Sequence, residues 1–446
     1  MNTIEIDLRQ SQGPIKPMHG INNGPISYGG LTNTSEQYKE AGFPIVRLHD
    51  PDWPNPYQVD IPKVFPNFEA NPDDPDAYRF AQTDDLIAAI HATGAEVLYR
   101  LGVSIEHIRE RIYARKPTDF EKWARICTNV IRHYNEGWCN GFHYGIRFWE
   151  IWNEPDGGDN MWTDGTPEDY YRLYCTASKI IRAACPNVLL GGYAGCTVYN
   201  EPFMTGFFES IRAANAPLDF FSWHMYSDGG NAPDYAKAAA VARQYLVKYG
   251  YSNALSICDE WNYMAGKEHW DAMRSEPDNL IRKKMFELQR TMVGASFCVA
   301  AMISMQNAPM DMAAYYDGQP HMLWCGIFDF YGAATKTFYA FKAYDQLYRL
   351  KGSQIPLQSI DKLYALAAGK AGQALVLLAN HDEPDAEIEL IFKGMSSSAQ
   401  CTLSLLDDNH DLVPLRTEIF HGQSIQMRVF MKRNTVALVH LEEIQQ

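Results

Sequence analysis

The chain has 446 residues, which is too long for one ordinary domain and fits one large barrel of roughly 250–330 residues with a small additional module. Its 46% hydrophobic and 21% charged residues exclude wholesale disorder and fibrous classes. A formal charge of −15 argues against a general binder of nucleic acid or anionic membrane. Aromatic residues reach 13%, so they fill a large core or line a groove that stacks on ligands.

Targeting signals and cysteines indicate the compartment. No stretch of about 20 apolar residues occurs, so no membrane-spanning helix is expected. The first residues lack the basic region and apolar run of a secretory signal, although a mature form would look the same. Nine cysteines without a C-x-x-C pair are typical of reduced, buried thiols, and the expected location is cytoplasmic.

One pattern repeats along most of the chain: a short apolar strand, a polar loop and a segment of helical period. Helix starts are marked by Thr118 with Glu121, which form a capping-box pattern, and by Thr166 with Pro167. The eight candidate strands are Pro17–Asn22, Phe43–Leu48, Ala95–Leu101, Ile146–Trp152, Val188–Tyr193, Leu218–His224, Leu255–Glu260 and Ala300–Met305. Eight strand–helix units predict a (β/α)₈ TIM barrel over residues 12–345, in the α/β class.

A doubly wound open sheet is the competing fold. It usually carries a Gly-rich phosphate loop after its first strand. Here the corresponding stretch, 20–24, is Gly-Ile-Asn-Asn-Gly, which does not match that pattern, and no P-loop motif occurs.

The last hundred residues follow a different pattern, with short strands of period two separated by turn residues. They predict a β-sandwich over residues 346–446, joined by residues 1–11, where Ile4, Ile6 and Leu8 also alternate. The candidate strands are Leu363–Ala368, Ala374–Asn380, Glu387–Phe392, Thr402–Leu406, Ser424–Phe430 and Thr435–Leu441.

Two glutamates close apolar strands where a loop residue would be expected. Glu154 follows the fourth strand and Glu260 ends the seventh. Because reacting groups in such barrels sit at the C-terminal ends of the strands, the two carboxyls are expected to face one ligand. Paired carboxyls about 5–5.5 Å apart cleave glycosidic bonds with retention, one as proton donor and one as nucleophile. The alternative interpretation of each glutamate is a surface acid or a buried ion-pair partner.

An ordered set of motifs carries a family resemblance. It comprises Trp123, Phe148–Asp156 (FWEIWNEPD), Asn160–Trp162, Tyr170–Tyr174, Gly191–Gly192, Leu218–Tyr226 (LDFFSWHMY) and Asp259–Asn262 (DEWN). This set resembles clan A of the retaining glycoside hydrolases, and within it glycoside hydrolase family 39, the β-xylosidase and α-L-iduronidase family. The resemblance covers roughly residues 40–345. It implies a (β/α)₈ barrel with a β-sandwich, as the strand pattern also predicts.

The resemblance also implies roles for individual residues. Glu154 would be the general acid/base and Glu260 the nucleophile. Asn153 would hold the sugar 2-hydroxyl, Tyr226 would hydrogen-bond the nucleophile and His224 would border the same subsite. Arg47 would lie beside Glu260 and favour its carboxylate form, and His49 would face the glycone. For Arg47 the structural alternative is a barrel-rim ion pair, and for the two histidines it is a satisfied core position.

The eighth strand departs from the family, which commonly brings an aromatic platform to the glycone there. Gln306 and Asn307 stand at that place and are predicted to be polar sugar contacts. Trp324 or Trp261 is expected to supply the platform instead. The departure leaves the sugar identity open.

The predicted function is therefore a retaining exo-glycosidase that hydrolyses oligosaccharides by double displacement, most similar to a β-xylosidase. An α-L-arabinofuranosidase or another clan A glycosidase is the alternative. No cofactor or metal is predicted, because His49, Asp50 and Asp52 lack the spacing of a metal site. The expected partner is a carbohydrate, without nucleic acid or membrane, and a homo-oligomer stays open. A non-catalytic sugar-binding module and a metal-dependent barrel hydrolase are the other hypotheses.

Overall fold

The computed structural model describes residues 2–51, 59–106, 110–227, 229–273, 280–320, 326–358, 363–395 and 398–444. Its strands are β1 (Asn2–Asp7), β2 (Gly20–Asn22), β3 (Ile26–Ser27), β4 (Thr32–Asn33), β5 (Ile45–Leu48), β6 (Glu96–Leu101), β7 (Phe148–Ile151), β8 (Leu189–Gly195), β9 (Phe220–Tyr226), β10 (Leu255–Asn262), β11 (Met312–Tyr315), β12 (Ser353–Ile355), β13 (Tyr364–Lys370), β14 (Gln373–Asn380), β15 (Ala386–Lys393), β16 (Ala399–Leu406), β17 (Asp411–Phe420), β18 (Ser424–Met431) and β19 (Thr435–Glu443). Its α-helices are α1 (Ser35–Ala41), α2 (Ile61–Val64), α3 (Ala81–Thr93), α4 (Phe120–Glu136), α5 (Pro167–Ala184), α6 (Glu201–Ala213), α7 (Asp234–Tyr249), α8 (Lys267–Met273), α9 (Leu280–Leu288), α10 (Met292–Gln306) and α11 (Lys336–Arg349).

Eight parallel strands close into a barrel, in the order β2-β5-β6-β7-β8-β9-β10-β11. β11 pairs with both β10 and β2, which closes the ring. The predicted TIM barrel is confirmed, and the open sheet is excluded because a closed ring has no edge strands. The C-terminal ends of all eight strands therefore converge on one mouth, where the candidate site lies.

The predicted eighth strand, Ala300–Met305, is wrong. These residues form the end of α10, and the eighth strand is β11. α10 is apolar almost all round and almost wholly buried, since it packs against α11, α7 and sandwich strands β13, β14 and β19. A helix buried on every side has no amphipathic period, so its sequence cannot be told from that of a buried strand.

Two predicted helix starts show how local hydrogen bonds decide a boundary. At α5, Thr166 Oγ1 accepts from the Asp169 backbone N–H and Asp169 Oδ2 accepts from the Thr166 N–H, each at 3.2 Å, as a capping box. At α4 the N-cap is Asp119, whose carboxylate accepts from the Lys122 N–H at 3.0 Å. The predicted cap at Thr118 is therefore one residue early, because the adjacent aspartate is an equally good cap.

A β-sandwich packs against the barrel, as predicted. One sheet has the order β12-β13-β14-β19-β16-β17 and the other β1-β15-β18. The N-terminal strand β1 runs parallel to β15, with Ile4 opposite Leu390, and Ile4 and Ile6 enter the sandwich core. Strands β12 and β17 had no counterpart in the predicted set. β17 carries Pro414 and lies at the sheet edge, where proline is tolerated.

The cysteines in the described ranges are free thiols, and Cys325 lies outside them. Within the described part of the chain, no single helix is long and apolar enough to cross a membrane. Helices α9 and α10, bent by 58° relative to each other, pass that test only as a pair, by length and composition.

Candidate active site

The two strand-end glutamates meet in the barrel mouth. Glu154 follows β7, Glu260 lies in β10, and one carboxylate oxygen of each is within 4.8 Å of the other and of a His224 ring nitrogen. Both glutamates are more than nine-tenths buried. The prediction that strands four and seven bring these carboxyls together is confirmed by this spacing.

The backbone around Glu154 is held in an uncommon conformation. Trp152 and Glu154 have φ values of 74° and 43°, in the left-handed region that costs a non-glycine residue free energy. Hydrogen bonds hold the turn in place: Trp152 N–H donates to the Leu101 carbonyl at 2.7 Å and Glu154 N–H to the Ala194 carbonyl at 2.9 Å. Because neighbouring strands hold this strained turn in place, the direction of the Glu154 carboxyl is fixed.

Glu260 is held from two sides. Tyr226 Oη donates to Glu260 Oε1 at 2.5 Å, and Arg47 Nη1 donates to Glu260 Oε2 at 3.0 Å. The predicted positions of Tyr226 and Arg47 beside the second glutamate are therefore confirmed. Both carboxylate oxygens already accept a hydrogen bond, so the side chain cannot swing away from its position.

Arg47 is the centre of a wider network. Its guanidinium is fully buried and donates to Glu150, Glu260, Asn22 and Asn153 at 2.7–3.2 Å. The rim ion pair considered for Arg47 is excluded, because the side chain lies inside the barrel. Its other ionic neighbour is Asp259, 2.9 Å from Nε.

A β-bulge explains how two consecutive residues both reach this guanidinium. Successive side chains of a strand normally point to opposite faces. The pairing of β9 with β10 shifts between Cys258 and Glu260, so one residue is inserted there. Asp259 and Glu260 consequently both lie next to Arg47.

His224 lies between the two glutamates. Its Nδ1 is 2.7 Å from Glu154 Oε1 and 3.6 Å from Glu260 Oε2. Burial lowers the pKa of the His224 imidazole to about 4, so the ring is neutral at pH 7. We assign its single N–H to Nδ1, which lies within hydrogen-bond distance of the Glu154 carboxyl, because Nε2 has no hydrogen-bond partner among the described residues. His224 therefore borders both glutamates, as predicted.

The two glutamates have different electrostatic surroundings. Burial raises the pKa of Glu154 to about 7, with Cys196 and Arg47 acting in the opposite direction. Burial also raises the pKa of Glu260, while His224, Arg47 and the Tyr226 hydroxyl favour its carboxylate form. Glu154 is thus suited to hold a proton near neutral pH, as a general acid must.

Asn153 and His49, both predicted to face the sugar, lie next to each other. Asn153 Nδ2 lies 3.4 Å from His49 Nε2, and the His49 backbone N–H donates to Asn23 Oδ1 at 2.9 Å. Asn153 is linked to Glu260 through Arg47, which donates to both, and His49 lies next to Asn153. His49 also lies 3.4 Å from Asp50, while Asp52 is outside the described residues.

The predicted contacts from the eighth strand are not at the site. Gln306 ends α10 and is bonded to Lys16, Pro14, Gln354 and Tyr344, at the junction with the sandwich. Asn307 accepts from Gln354 at 2.8 Å in the same region. Both predictions are wrong, because the segment is a helix and lies away from the barrel mouth.

Trp261 does not form the predicted platform. It is fully buried and packs against Tyr315, Tyr235 and Phe341, with ring centroids 5.0–6.1 Å apart, on the helix side of the barrel wall. Trp324 lies outside the described residues.

Other aromatic rings do lie next to the site. The Tyr316 ring is 6.2 Å from that of His49, and the half-buried Trp270 ring is 5.7 Å from that of Tyr226. Tyr316 directly follows β11, which was not recognised as the eighth strand, and Trp270 lies in α8, so the strand-end search missed both. Glu150 and Asp259 were also missed, although an acid inside an apolar strand is itself a signal of a buried ionic network.

The three side chains that meet in the barrel mouth do not suit a metal ion. Glu154, His224 and Glu260 offer one nitrogen and two oxygens within 4.8 Å of one another. The His224 N–H and the Arg47 cation already engage these carboxylates at 2.7 and 3.0 Å. A divalent ion would displace the first and be repelled by the second. We therefore assign no metal to these residues.

Comparisons with known proteins agree with this geometry. Residues 102–265 match the family described as Glycosyl hydrolases family 39. A beta-xylosidase of Geobacillus stearothermophilus is 32% identical over 116 residues, which are 25% of this chain and only 21% of that protein. A beta-xylosidase of Caldicellulosiruptor saccharolyticus is 23% identical over 411 residues, 83% of this chain and 76% of that protein.

The fold comparison extends over the whole chain. The crystal structure of a glucosidase from Croceicoccus marinus superposes with a TM-score of 0.84 at 21% identity, covering 100% of both chains. Barrel, sandwich and the paired glutamates together define a protein of the glycoside hydrolase class. The chain resembles glycoside hydrolase family 39, whose model matches residues 102–265.

Proposed function

We propose that the protein is a retaining, metal-independent exo-glycosidase that acts by double displacement, with β-xylosides as its leading substrates. The observation that carries the proposal is the pair Glu154 and Glu260, with carboxylate oxygens within 4.8 Å. Retaining enzymes have carboxyls about 5–5.5 Å apart, whereas inverting enzymes need about 6.5–9.5 Å to admit a water. The spacing here supports direct attack on the sugar.

In this mechanism Glu260 attacks the anomeric carbon while Glu154 protonates the leaving oxygen. Water then hydrolyses the glycosyl-enzyme with Glu154 as base. The raised pKa of Glu154 supports the acid role, and the two hydrogen bonds to Glu260 support the nucleophile role. Once Glu260 is bonded to the sugar its charge is lost, so the pKa of Glu154 falls and the carboxylate needed as a base is favoured.

Asn153 supports recognition of the sugar. Its Oδ1 accepts from Arg47 Nη2 at 2.7 Å, which turns the amide Nδ2–H groups toward His49 and the open site. An amide held in this way can donate to a sugar 2-hydroxyl. Hydrogen bonds to that hydroxyl strengthen in the transition state and contribute several kcal/mol in glycosidases of this kind.

The choice of xylosides as leading substrates is supported by the similarity of the chain to two beta-xylosidases. An α-L-arabinofuranosidase or a glucosidase is the alternative. A uronate is disfavoured, because all five N–H groups of Arg47 are already engaged by protein acceptors and none remains for a sugar carboxylate.

The test is a panel of nitrophenyl pentosides and hexosides, with the anomeric configuration of the first product followed by NMR. We expect the highest kcat/KM on the β-xyloside, release of single sugar units and a product of retained configuration. An EDTA-treated sample should keep the same rate. Inverted product would contradict the double displacement, and sensitivity to chelation would favour the metal-dependent hydrolase. Inactivity on every glycoside, with sugar binding intact, would identify a non-catalytic module.

A further inference from the structure

A donor count around Arg47 leaves one buried carboxyl without a hydrogen-bond donor. A guanidinium has five N–H groups. The Nε–H and one Nη2–H go to Glu150, the other Nη2–H goes to Asn153, and the two Nη1–H groups go to Asn22 and Glu260. No hydrogen is left for Asp259, although its Oδ2 lies 2.9 Å from Nε.

Among the residues that the structure describes, no other neighbour supplies that donor. Asp259 is fully buried and neither of its carboxyl oxygens has a hydrogen-bond donor. Its Oδ1 faces His224 Nε2 across 3.6 Å, and this nitrogen also lacks a partner, because the single ring hydrogen is on the Nδ1 that donates to Glu154. An ionised Asp259 would thus be a buried anion without donors, which is strongly unfavourable.

The charge balance leads to the same conclusion. Arg47 carries one positive charge, while Glu150, Asp259 and Glu260 would together carry three negative ones within 3.0 Å of it. A protonated Asp259 removes one of these charges and gains a donor for Glu150, whose Oε1 is otherwise unpaired. Burial raises the pKa of Asp259 well above its usual value, with the Glu150 charge adding to it; Arg47 holds that of Glu150 below its usual value against the cost of burial.

We propose that Asp259 and Glu150 share a single proton beneath Glu260, and that this pair is a positioning element whose net charge offsets that of Arg47 and thereby sets the ionisation of Glu260. The consequence for Glu260 rests on the proposed function, whereas the shared proton does not. With one negative charge on the pair, the attraction of the Arg47 cation for Glu260 is only partly offset, so the Glu260 carboxylate is favoured. With two charges, the pair would push Glu260 toward its protonated, inactive form.

The groups that face this pair and Glu260 come from every surrounding element. They are Arg47 on β5, Glu154 after β7, Ser222, His224 and Tyr226 on β9, Cys258 on β10 and, farther away, Cys196 after β8 and Asp50 after β5. His224 is neutral and Tyr226 is a hydrogen-bond donor, so Arg47 is the cation of this group. The variants below change the Glu150–Asp259 pair, and Asp50→Asn serves as the control outside it.

The first test detects the proton directly and does not depend on activity. Infrared difference spectra at pH 9 compare wild type with Asp259→Asn and with the control Asp50→Asn, whose own buried carboxyl has a pKa of about 8. We expect a protonated carboxyl band that is lost in Asp259→Asn and retained in Asp50→Asn. If no carboxyl band is lost on Asp259→Asn, Asp259 is ionised and the proposal is overturned.

The second test determines the charge of the Glu150–Asp259 pair from the pH dependence of kcat/KM. Asn is a neutral mimic of protonated Asp, so Asp259→Asn should leave the midpoint of the acidic limb of kcat/KM at its wild-type pH. The double variant Glu150→Gln/Asp259→Asn removes a negative charge and should move that midpoint to lower pH. If Asp259→Asn alone lowers the midpoint, both acids are ionised in the wild type and the shared proton is wrong.

Two further outcomes are informative. An unmoved midpoint in the double variant overturns the coupling to Glu260 even if the infrared band is present. If the double variant fails to fold, as its melting temperature would show, the single variant and the infrared spectra still decide the proton count. Inactivity of wild type on every glycoside contradicts the proposed function but leaves the infrared test intact.

Discussion

His224 Nδ1 lies 2.7 Å from Glu154 Oε1, so the histidine donates to one defined oxygen of the proposed acid. That oxygen is the acceptor, and the carboxyl proton of Glu154 is therefore directed to Oε2. Since β9 also carries Tyr226, the same strand orients the acid and donates to the nucleophile.

Replacing the proposed acid separates its two roles. In Glu154→Ala, attack by Glu260 survives, so activated aryl glycosides should form the covalent intermediate and then stall without a base. We expect a loss of at least about a hundredfold in turnover, the usual scale of acid–base help. Azide needs no base and should restore turnover, giving a glycosyl azide with the configuration of the substrate, measured by NMR.

Replacing the proposed nucleophile should give the opposite stereochemistry. Glu260→Ala cannot form the intermediate and leaves a hole on the other face of the sugar. Azide entering that hole should give the inverted glycosyl azide. Products of the same configuration from both variants, or exchanged configurations, would show that the roles of the two glutamates are assigned incorrectly.

The pH dependence of activity should follow Glu154 on its basic side. Glu154 must be protonated to act as the acid, so kcat/KM should fall as pH rises through about 7, the pKa to which burial raises this carboxyl. Glu154→Gln removes that limb for activated substrates with good leaving groups. A profile of the wild type that stays flat to strong alkali would contradict the acid role.

The same carboxyl should make the stability depend on pH. Its pKa is about 7 when folded and near 4.5 when unfolded, so the unfolded chain loses the proton first. The stabilising contribution is therefore complete below about pH 4.5 and decreases until about pH 7, by roughly 3 kcal/mol at about 1.4 kcal/mol per unit. Denaturant unfolding of wild type and Glu154→Gln should differ in this window, and parallel curves would be the contrary result.

Loss of the Tyr226 hydroxyl should impair the nucleophile. In Tyr226→Phe the Glu260 carboxylate loses a donor at 2.5 Å, so the pKa of Glu260 rises and the acidic limb of kcat/KM moves to higher pH. A hydrogen bond to a charged group contributes about 1.5–3 kcal/mol, or roughly ten- to a hundredfold in rate. An unchanged acidic limb would show that the hydroxyl does not act on this ionisation.

The corrected position of Gln306 can be tested against its predicted role. Gln306→Ala removes contacts to Lys16, Pro14 and Gln354 at the junction of barrel and sandwich. We expect a decrease of about 1–3 kcal/mol in the free energy of unfolding, the cost of leaving buried polar groups unpaired. Because the side chain is not in the mouth, KM for the glycoside should stay the same, and a large rise in KM would restore the sugar-contact interpretation.

Much of the fold is visible in the chain itself, for local reasons. Seven barrel strands are short apolar runs with loop residues after them, and the α5 cap is decided by hydrogen bonds among Thr166, Asp169 and their own backbone. The eighth strand is not visible in the same way. β11 is only four residues long, while the apolar α10 before it imitates a strand, so only closure of the barrel distinguishes them.

In the candidate site, too, some residues could be predicted from the sequence and others could not. Glu154 and Glu260 are recognisable in the sequence because a strand end in a barrel is a defined place, and an acid that closes an apolar run there stands out. The sequence by itself therefore determined the two glutamates and, through the resemblance, Arg47, His224 and Tyr226. The sequence did not show which aromatic rings border the site or that Trp261 faces the helices. Both depend on the direction in which a side chain leaves the barrel wall.

Only the tertiary structure decided the state of Asp259. By the alternation of a regular strand, this residue points away from the side that Glu260 faces. The bulge at Cys258–Glu260 turns it inward, next to an Arg47 whose hydrogens are already engaged by residues on β2, on and just after β7, and on β10. A register shift depends on how two strands pair, and a donor count depends on every group around one cation. Neither is a property of any local stretch of sequence, because both arise from separate segments that only the fold brings together.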